Sequence, residues 1–196
     1  MKLFVAIVPP RSALQELAAA VRPLHALPQA AALRWTALPT WHLTLAFLGQ
    51  VDDGTLPELE RGLAAVAAGQ PEFELRLGGG GRFGDRALWA GVGGDTAALA
   101  RLAGATTEAV GRVGIGTDDH PFTGHLTLAR SSVPRDSRDR GPRRPGAADL
   151  GPLADALAGF RGEPWPTGAL RLMDSQSIGA GRHYETTAAW TLPPRG

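Results

Sequence analysis

The sequence of 196 residues contains no cysteine. This absence excludes disulfides, thiolate nucleophiles and cysteine-ligated zinc or iron–sulfur sites, and makes a cytoplasmic location the simplest expectation. A long hydrophobic run is also missing at the start of the chain, where the apolar stretch ends after six residues at Pro9. Six apolar residues are too few for the core of a signal peptide or for a membrane span. We therefore expect no association with a membrane.

An excess of charge of either sign is also absent. The net charge is +1 at pH 7, so the protein as a whole is not a general binder of nucleic acids. Any affinity for phosphate must then come from a local arrangement of residues. The hydrophobic content of 43% is typical of a chain that buries most of its apolar surface. We expect a monomer with a single domain over residues 1–196 that is divided into two lobes.

Helical and extended patterns alternate along the chain without a regular βαβα order. Apolar residues recur at helical spacing in four places, which begin at Leu14, Leu56, Leu99 and Leu150, the last continuing through Leu157 to Phe160. Extended patterns are predicted over 2–8, 33–36, 42–48, 73–77, 87–92, 124–130, 169–173 and 183–192. We interpret the glycine-rich segment 78–84 as a flexible hairpin loop. This order predicts an α+β fold in which helices cover the outer faces of antiparallel sheets.

Two short stretches repeat one pattern. His42 and Thr44 are separated by one leucine, and His125 and Thr127 repeat this arrangement 83 residues later. Because side chains on a strand alternate between faces, each histidine shares a face with its threonine while the leucines lie on the other face. Each stretch is followed by a turn, a short helix and two strands. An internal duplication explains this order and predicts a pseudo-two-fold axis between the lobes, with the sheets lining a central cleft.

The repeated residue types suit the cleavage of a phosphodiester. Of two histidines in one cleft, a neutral imidazole can accept a proton from the nucleophile and an imidazolium can give a proton to the leaving oxygen. Both protonation states are accessible near neutral pH because the unperturbed pKa of histidine is about 6.5. Each threonine lies roughly 6–7 Å along the strand from its histidine. Two hydroxyls and two imidazoles can thus enclose a phosphoryl group, and no metal or other cofactor is required.

The paired motifs resemble those of the two-histidine phosphoesterase superfamily, and within it the RNA 2′,3′-cyclic phosphodiesterases, also called LigT-like 2′-5′ RNA ligases. The residues that carry the resemblance are His42-Leu43-Thr44-Leu45 and His125-Leu126-Thr127-Leu128, with Phe4-Val5-Ala6-Ile7, Arg34-Trp35, Phe47-Leu48-Gly49, Pro121-Phe122 and Ala129-Arg130 in support. The resemblance covers nearly the whole chain. It implies a bilobal α+β fold and metal-independent hydrolysis of RNA 2′,3′-cyclic phosphate ends to 2′-phosphates, with slow 2′-5′ joining.

The resemblance also implies roles for individual residues. His42 would be the proton donor to the departing 3′ oxygen and His125 the base that activates water, an order that the residues alone do not give. Thr44 and Thr127 would bind the phosphate. Arg130 is a further phosphate ligand in this interpretation. In a strictly regular strand, however, Arg130 lies on the face opposite His125, so it reaches the phosphate only if the strand ends or bulges there, and is otherwise an exposed arginine.

Other residues and other functions are alternatives. His25, His120 and His183 lack the spacing of metal ligands and are interpreted as structural or surface residues. Trp41, Phe83 and Tyr184 either stack on a nucleobase or belong to the core. The segment 131–149 is predicted to be a mobile loop rich in arginine and proline, whose arginines either bind an RNA backbone or are merely solvated. The alternative functions are hydrolysis of another cyclic phosphate or of a 2′-5′ oligonucleotide, a non-catalytic nucleotide-binding or RNA-binding module, and a metal-dependent hydrolase.

Overall fold

The structure, a computed structural model, describes residues 1–117, 120–133, 146–178 and 181–196. Its strands are β1 Lys2–Ile7, β2 Leu33–Trp35, β3 Leu43–Gln50, β4 Phe73–Phe83, β5 Ala87–Gly94, β6 His125–Ser131, β7 Trp165–Thr167, β8 Ala169–Ile178 and β9 Gly181–Thr191. Its α-helices are α1 Arg11–Val21, α2 Leu56–Ala68, α3 Thr96–Arg112 and α4 Gly151–Ala156, and three short 3-10 helices cover Arg22–Ala26, Pro28–Ala32 and Leu38–Thr40.

The strands form two antiparallel sheets. The first sheet has the order β3-β1-β8-β9 and the second the order β2-β6-β5-β4-β7. Helices α2 and α3 pack on strands of the first sheet, and α1 and α4 pack on strands of the second. The predicted α+β class with antiparallel sheets is confirmed. Each sheet takes strands from distant parts of the chain, since β1 pairs with both β3 and β8. The first sheet is therefore complete only when the last third of the chain has joined it.

The helices bury the stripes that their sequences predict. In α3 the buried residues include Leu99, Leu102 and Val110, and the Asp95 side chain caps the first turn by accepting a hydrogen bond of 2.9 Å from Ala98 N. Helix α1 ends before the last residue of its predicted stripe, because Pro23 has no N–H with which to continue the helix. Leu24 is nevertheless buried at the end of the stripe. No helix in the described ranges is both long and apolar enough to span a membrane.

Helix α4 is shorter than its apolar stripe predicts. It ends at Ala156, and tight turns continue the chain to Phe160. The backbone of this region is used by β4 instead of by a helix: Gly79 N donates to Phe160 O at 2.8 Å and Gly162 N donates to Leu77 O at 2.7 Å. The N–H groups of Leu157, Ala158 and Phe160 bond to carbonyls three residues earlier instead of four, so the α-helical pattern is not continued. The leucines of the stripe are buried, but its helical extension to Phe160 was wrong.

The glycine run Gly78–Gly81 lies inside β4, so the prediction of a flexible hairpin loop over 78–84 is wrong. Pairing of β4 with β5 jumps from Leu77 to Gly80, which marks a bulge. Glycine is needed here for close approach, since a Cβ on Gly80 would lie 2.6 Å from Leu157 Cβ and one on Gly81 only 2.2 Å from the Trp89 ring. The glycines therefore serve strand packing, and the turn is confined to residues 84–86.

Most of the predicted mobile loop over 131–149 lies outside the described residues. Within the described part, β6 continues to Ser131 and Ala147 is buried. The candidate RNA-binding arginines of residues 135–144 also fall outside it.

Candidate active site

The two His-Thr motifs present the same faces. Beside the histidines, the leucines at 43, 45, 126 and 128 are almost fully buried. His42, Thr44, His125 and Thr127 are each half-buried. The alternation predicted from the sequence is therefore observed in both copies, with the leucines in the core and the polar pair facing outward.

A chain of hydrogen bonds joins the first motif to the second. Trp41, the residue before His42, is buried, and its Nε1 donates to Thr36 Oγ1 at 2.8 Å. Thr36 Oγ1 in turn lies 2.9 Å from Thr127 O and 2.8 Å from Leu128 O, so its hydroxyl donates to the backbone of the second motif. Trp41 is thus a core residue that positions the motifs. Of the two roles considered for it, packing in the core is correct and stacking on a nucleobase is not. Neither Trp41 nor Thr36 can be lost without loosening this connection.

Both imidazoles are held in the same way. His42 Nδ1 lies 2.7 Å from Thr40 O, and His125 Nδ1 lies 2.7 Å from Thr123 O. A carbonyl oxygen only accepts, so each Nδ1 carries the hydrogen. The neutral form of each ring is therefore the tautomer in which Nε2 is unprotonated. Nε2 is the atom that remains to take up or release a proton at each histidine.

Aromatic rings surround each histidine. The His42 ring lies 4.7 Å from Phe4 and 5.1 Å, edge to face, from Tyr184, measured between ring centroids. The His125 ring lies 4.8 Å, edge to face, from Phe83 and 6.0 Å from Trp89. These contacts fix the ring planes and exclude water from one side of each imidazole. Phe83 and Tyr184 are thus neighbours of the histidines.

The surroundings lower the pKa of both histidines. For His42 and for His125 the largest cause is burial, which disfavours the imidazolium, and the hydrogen bond to the backbone carbonyl partly opposes it. The positive charge of Arg130 lowers the pKa of both rings further. Repulsion from His125 also lowers the pKa of His42. The two imidazoles and the Arg130 guanidinium therefore lie close enough to share one electrostatic environment.

A bulge places Arg130 on the same face as His125. Pairing of β5 with β6 goes from Leu88 and Ala129 directly to Trp89 and Thr127, so Leu128 is an extra residue. Leu128 and Ala129 are consequently both buried and the alternation shifts by one residue. The condition stated from the sequence is met. Arg130, which is exposed, follows His125 and Thr127 on one face.

The first motif contains an equivalent bulge. Pairing of β1 with β3 goes from Ala46 to Thr44, so Leu45 is the extra residue, at the same distance from its histidine as Leu128. The residue that then shares the face of His42 and Thr44 is Phe47. Phe47 is 59% exposed, and its ring lies 6.3 Å from that of Phe4. Phe47 in one half therefore corresponds to Arg130 in the other.

The sequence analysis used Phe47 and Arg34 only as marks of resemblance and gave neither a role in the site. Arg34 pairs directly with Arg130 across β2 and β6, so the two guanidinium groups share one face. Two like charges at opposed positions destabilise a sheet unless an anion lies between them. Neither side chain forms a salt bridge or hydrogen bond with other described residues, which leaves both available to an anion. The signal for Phe47 was present in the sequence, since Phe47 and Arg130 each follow a motif histidine by five residues.

Within the described residues, the remaining histidines form no ring contact with His42 or His125. His25 packs on Trp35 at 4.2 Å, and His120 and His183 are exposed. Among the described residues, no group of three or more His, Asp or Glu side chains is arranged to hold a metal ion.

Comparison with known proteins shows which family this chain is similar to. A family model described as LigT like Phosphoesterase matches residues 7–93, which include the first motif. The chain superposes over its full length on a protein of Thermus thermophilus, TT0787, with a TM-score of 0.76, 25% identity and 100% of both chains covered. The chain is similar to the LigT-like phosphoesterases. A second similar structure, E. coli LigT complexed with 3′-AMP, has a TM-score of 0.75 and 25% identity over 97% of each chain.

Curated relatives match about half of the chain. An RNA 2′,3′-cyclic phosphodiesterase of Geobacillus stearothermophilus is 41% identical over 100 residues, which are 49% of this chain and 32% of the relative. An RNA 2′,3′-cyclic phosphodiesterase of Escherichia coli K12 is 34% identical over 114 residues, which are 57% of this chain and 61% of the relative. The chain thus spans between about a third and three fifths of the length of these curated relatives.

Proposed function

We propose that the protein hydrolyses RNA ends that carry a 2′,3′-cyclic phosphate and leaves a 2′-phosphate, without a metal ion. The observation that carries this proposal is the pair of imidazoles, His42 and His125. Each ring is fixed through Nδ1 to a carbonyl two residues earlier, and the charge of one lowers the pKa of the other. The match of residues 7–93 to the family model and the names of the curated relatives support the same reaction.

In this proposal His125 is the base and His42 the acid. Nε2 of neutral His125 accepts a proton from water as the water oxygen bonds to phosphorus. The bond from phosphorus to the 3′ oxygen breaks, and Nε2–H of the His42 imidazolium protonates that oxygen. The products are a 3′ hydroxyl and a 2′-phosphate, with His125 protonated and His42 neutral. Exchange of protons with solvent restores the starting state.

Repulsion between the two histidines favours a pair that carries a single proton. Catalysis requires one imidazolium and one neutral imidazole. Because a charge on His125 lowers the pKa of His42, adding a second proton to the pair is harder than adding the first. The singly protonated pair therefore exists over a wider range of pH than two independent histidines would allow.

The phosphate would be bound by hydroxyls and one guanidinium. Thr44 and Thr127 share the faces of their histidines, and Arg130 shares the face of His125 because of the bulge at Leu128. Arg130 would stabilise the charge that develops on the phosphoryl oxygens during water attack. Phe47 has no charge to offer, but its exposed ring can stack on the terminal nucleobase, as aromatic rings do in recognition of single-stranded RNA.

The same residues would also join RNA ends. If a ribose 5′ hydroxyl replaces water, His125 takes its proton and the product is a 2′-5′ linkage. A related cyclic phosphate or a 2′-5′ oligonucleotide is an alternative substrate, because substrate choice resides in the loops around a site. The cytoplasmic location and monomeric state belong to the same proposal, and cell fractionation and size-exclusion chromatography of the purified protein test them.

The decisive experiment incubates the purified protein with 2′,3′-cyclic AMP in the presence of a chelator and identifies the product. We expect 2′-AMP, formed at the same rate with and without the chelator. Formation of 3′-AMP would contradict the assignment of the leaving oxygen. Tight binding of the nucleotide with no hydrolysis over long incubation would instead support the non-catalytic binding module.

A further inference from the structure

A second cationic cavity lies on the same sheet as His125. Its volume is about 380 Å³, and it is lined by Arg76, Arg161 and the backbone of Gly78 and Gly93, with the turn that follows α4. The mechanism described above uses none of these residues. Arg76 is half-buried and Arg161 is exposed, so a ligand can reach both guanidinium groups.

The strand register places Arg76 on the cleft face. His125 of β6 pairs with Gly91 of β5, and paired residues in antiparallel strands project to the same side. Gly93, two residues further along β5, projects to that side too and pairs with Arg76 of β4. The Arg76 side chain lies across this glycine, since a Cβ on Gly93 would be 3.1 Å from Arg76 Nε. Arg76 and His125 therefore share one face of the second sheet.

Arg161 lines the same cavity as Arg76 from the neighbouring segment. It forms an antiparallel bridge with Gly78, which lies two residues after Arg76, in the bulge of β4. The bulge and the hydrogen bond from Gly79 N to Phe160 O hold the two segments together at this point.

The two arginines lie at a short distance from His125. With strands about 4.8 Å apart and a rise of about 3.3 Å per residue, the Cα atom of Arg76 is roughly 12 Å and that of Arg161 roughly 14 Å from the Cα atom of His125. Between them lies Gly91, over which the Gly78 carbonyl packs, since a Cβ on Gly91 would be only 2.6 Å from Gly78 O; a ligand that joins the two sites passes above this carbonyl. Arg130 lies on the other side of His125 along β6, so the cavity is distinct from the site proposed for the cyclic phosphate.

Neither guanidinium has an acidic partner within the part of the chain that the structure describes. There, the side chains of Arg76 and Arg161 form no hydrogen bond or salt bridge with another residue. Two such positive charges at one cavity repel each other and favour an anion between them. Guanidinium groups bind phosphate oxygens in a bidentate manner, which makes a phosphodiester a suitable ligand.

We propose that Arg76 and Arg161 form a second phosphate site, which binds the backbone phosphodiester before the terminal cyclic nucleotide. This inference rests on the proposed function, because it assumes that the cyclic end lies at His42 and His125. It specifies the substrate further. The preferred substrate is an oligoribonucleotide with a cyclic end, and a cyclic mononucleotide, which has no preceding phosphodiester, is a poor one.

Three substrates test the site: 2′,3′-cyclic AMP, the dinucleotide ApA with a 2′,3′-cyclic phosphate, and the same dinucleotide with a neutral methylphosphonate linkage. We expect the charged dinucleotide to have a kcat/KM about 5- to 30-fold above that of the other two, mainly through a lower KM. The neutral dinucleotide keeps the second base and sugar but removes the charge. It therefore separates phosphate binding from base stacking.

Variants assign the effect to the two arginines. In Arg76→Gln and Arg161→Gln, the ratio of kcat/KM for the charged dinucleotide to that for 2′,3′-cyclic AMP should fall toward one. Arg82→Gln is the matched control, because Arg82 is an exposed arginine of the same strand. Arg82 pairs with Leu88, whereas its neighbour Gly81 pairs with Trp89, so Arg82 projects to the face opposite that of Gly81 and Trp89. Its ratio should equal that of the unmodified protein.

The outcomes separate the two proposals. Hydrolysis of all three substrates with equal kcat/KM, or an unchanged ratio in both arginine variants, would overturn the second phosphate site and leave the proposed function intact. Failure to hydrolyse any of the three would overturn the proposed function and this inference with it.

Discussion

The two halves of the cleft are alike in their backbone and unlike at one side chain. Each half has a histidine held by a carbonyl two residues earlier, a threonine two residues after the histidine, and a bulge at the leucine that follows. The fifth residue after the histidine differs: it is Phe47 in the first half and Arg130 in the second. The duplicated backbone can thus supply a matched acid and base, while the fifth position makes the halves chemically different.

The environment of the two strands differs as well. β3 is at the edge of the first sheet, whereas β6 lies between β2 and β5 in the second. β2 brings Arg34 beside Arg130, whereas the neighbour of Phe47 in the first half is Phe4. Positive charge is therefore concentrated on the His125 side, whereas the exposed ring of Phe47 lies on the His42 side. We interpret this asymmetry as a phosphate side and a base side of the proposed substrate.

Removing either histidine should have the largest effect. Each proton transfer typically contributes about 10²–10⁴ in rate, so His42→Ala and His125→Ala should each lower kcat on 2′,3′-cyclic AMP by a factor in this range. Thermal unfolding of the variants checks that the fold is intact. Full activity in either folded variant would contradict the use of both halves.

A substrate whose leaving group departs without protonation should distinguish the role of His42 from that of His125. A nucleoside nitrophenyl phosphodiester has a leaving group that departs without protonation. If His42 is the acid, His42→Ala should lose far less activity on this ester than on the cyclic phosphate, whereas His125→Ala should lose as much on both. The opposite pattern would reverse the assignment of donor and acceptor, while leaving the two-histidine reaction in place.

Substitution of Arg130 or Phe47, the fifth residue after each histidine, should lower activity less than loss of a histidine, and the two substitutions should differ in effect. Arg130→Gln removes a charge-assisted contact to the phosphate, which is worth about 1.5–3 kcal/mol, and should lower kcat/KM by about 10- to 100-fold. It should also raise the pKa of both histidines, because the charge of Arg130 lowers them. NMR titration of the imidazole protons measures this rise.

Phe47→Leu is the counterpart in the other half. It should leave both pKa values near those of the unmodified protein and raise KM by only a few-fold, as expected for the loss of one stacking contact on an exposed ring. An equal loss of kcat in the Arg130 and Phe47 variants would refute the division into a phosphate side and a base side.

Cutting the connection between the motifs should act mainly on stability. Thr36→Val leaves the buried Trp41 Nε1 without an acceptor and removes the hydroxyl that donates to Thr127 O and Leu128 O. We expect the free energy of unfolding to fall by about 1–3 kcal/mol, measured in urea. Thr40→Val is a useful control because the Thr40 hydroxyl makes only an exposed bond to Ala37 O, and it should cost much less.

The smallest effect concerns the pH dependence of stability. The pKa of both histidines is lower in the folded protein than the unperturbed value of about 6.5, so the unfolded chain binds more protons as the pH falls below 6.5. Stability should therefore decrease as the pH falls from about 6.5 through the folded pKa values. In His42→Gln this decrease should be smaller, as measured by urea unfolding at several pH values. An unchanged pH dependence would show that His42 is not desolvated.

Much of the site could be predicted from the sequence because it depends on local periodicity. Alternation over three residues puts His42 with Thr44 and His125 with Thr127, and no distant contact is needed to see it. The change in alternation that brings Arg130 to the face of His125 and Thr127 could not be predicted from local periodicity. The bulge inserts Leu128 before Ala129, and alanine is common on either face, so the apolar pattern does not show that the alternation has changed. The register with β5 decides it.

The errors in the fold have the same origin. The run Gly78–Gly81 was predicted as a loop because glycine usually breaks a strand, yet contacts with Leu157 and Trp89 require it inside β4. The early end of α4 likewise depends on hydrogen bonds to β4, which is about 80 residues earlier in the chain. Local sequence could not reveal partners at this separation. Trp41 also needed the structure: the sequence allowed it to stack on a nucleobase or to belong to the core, and its bond to Thr36 shows that it belongs to the core.

The central claim is that His42 and His125 act as one coupled pair, and NMR titration of the His42 imidazole tests it most directly. The measurement compares the unmodified protein with His125→Gln. Removing the charge of His125 should raise the pKa of His42 in the variant, because repulsion from His125 lowers it in the unmodified protein. An identical titration of His42 in both proteins would mean that the two imidazoles do not share a cleft.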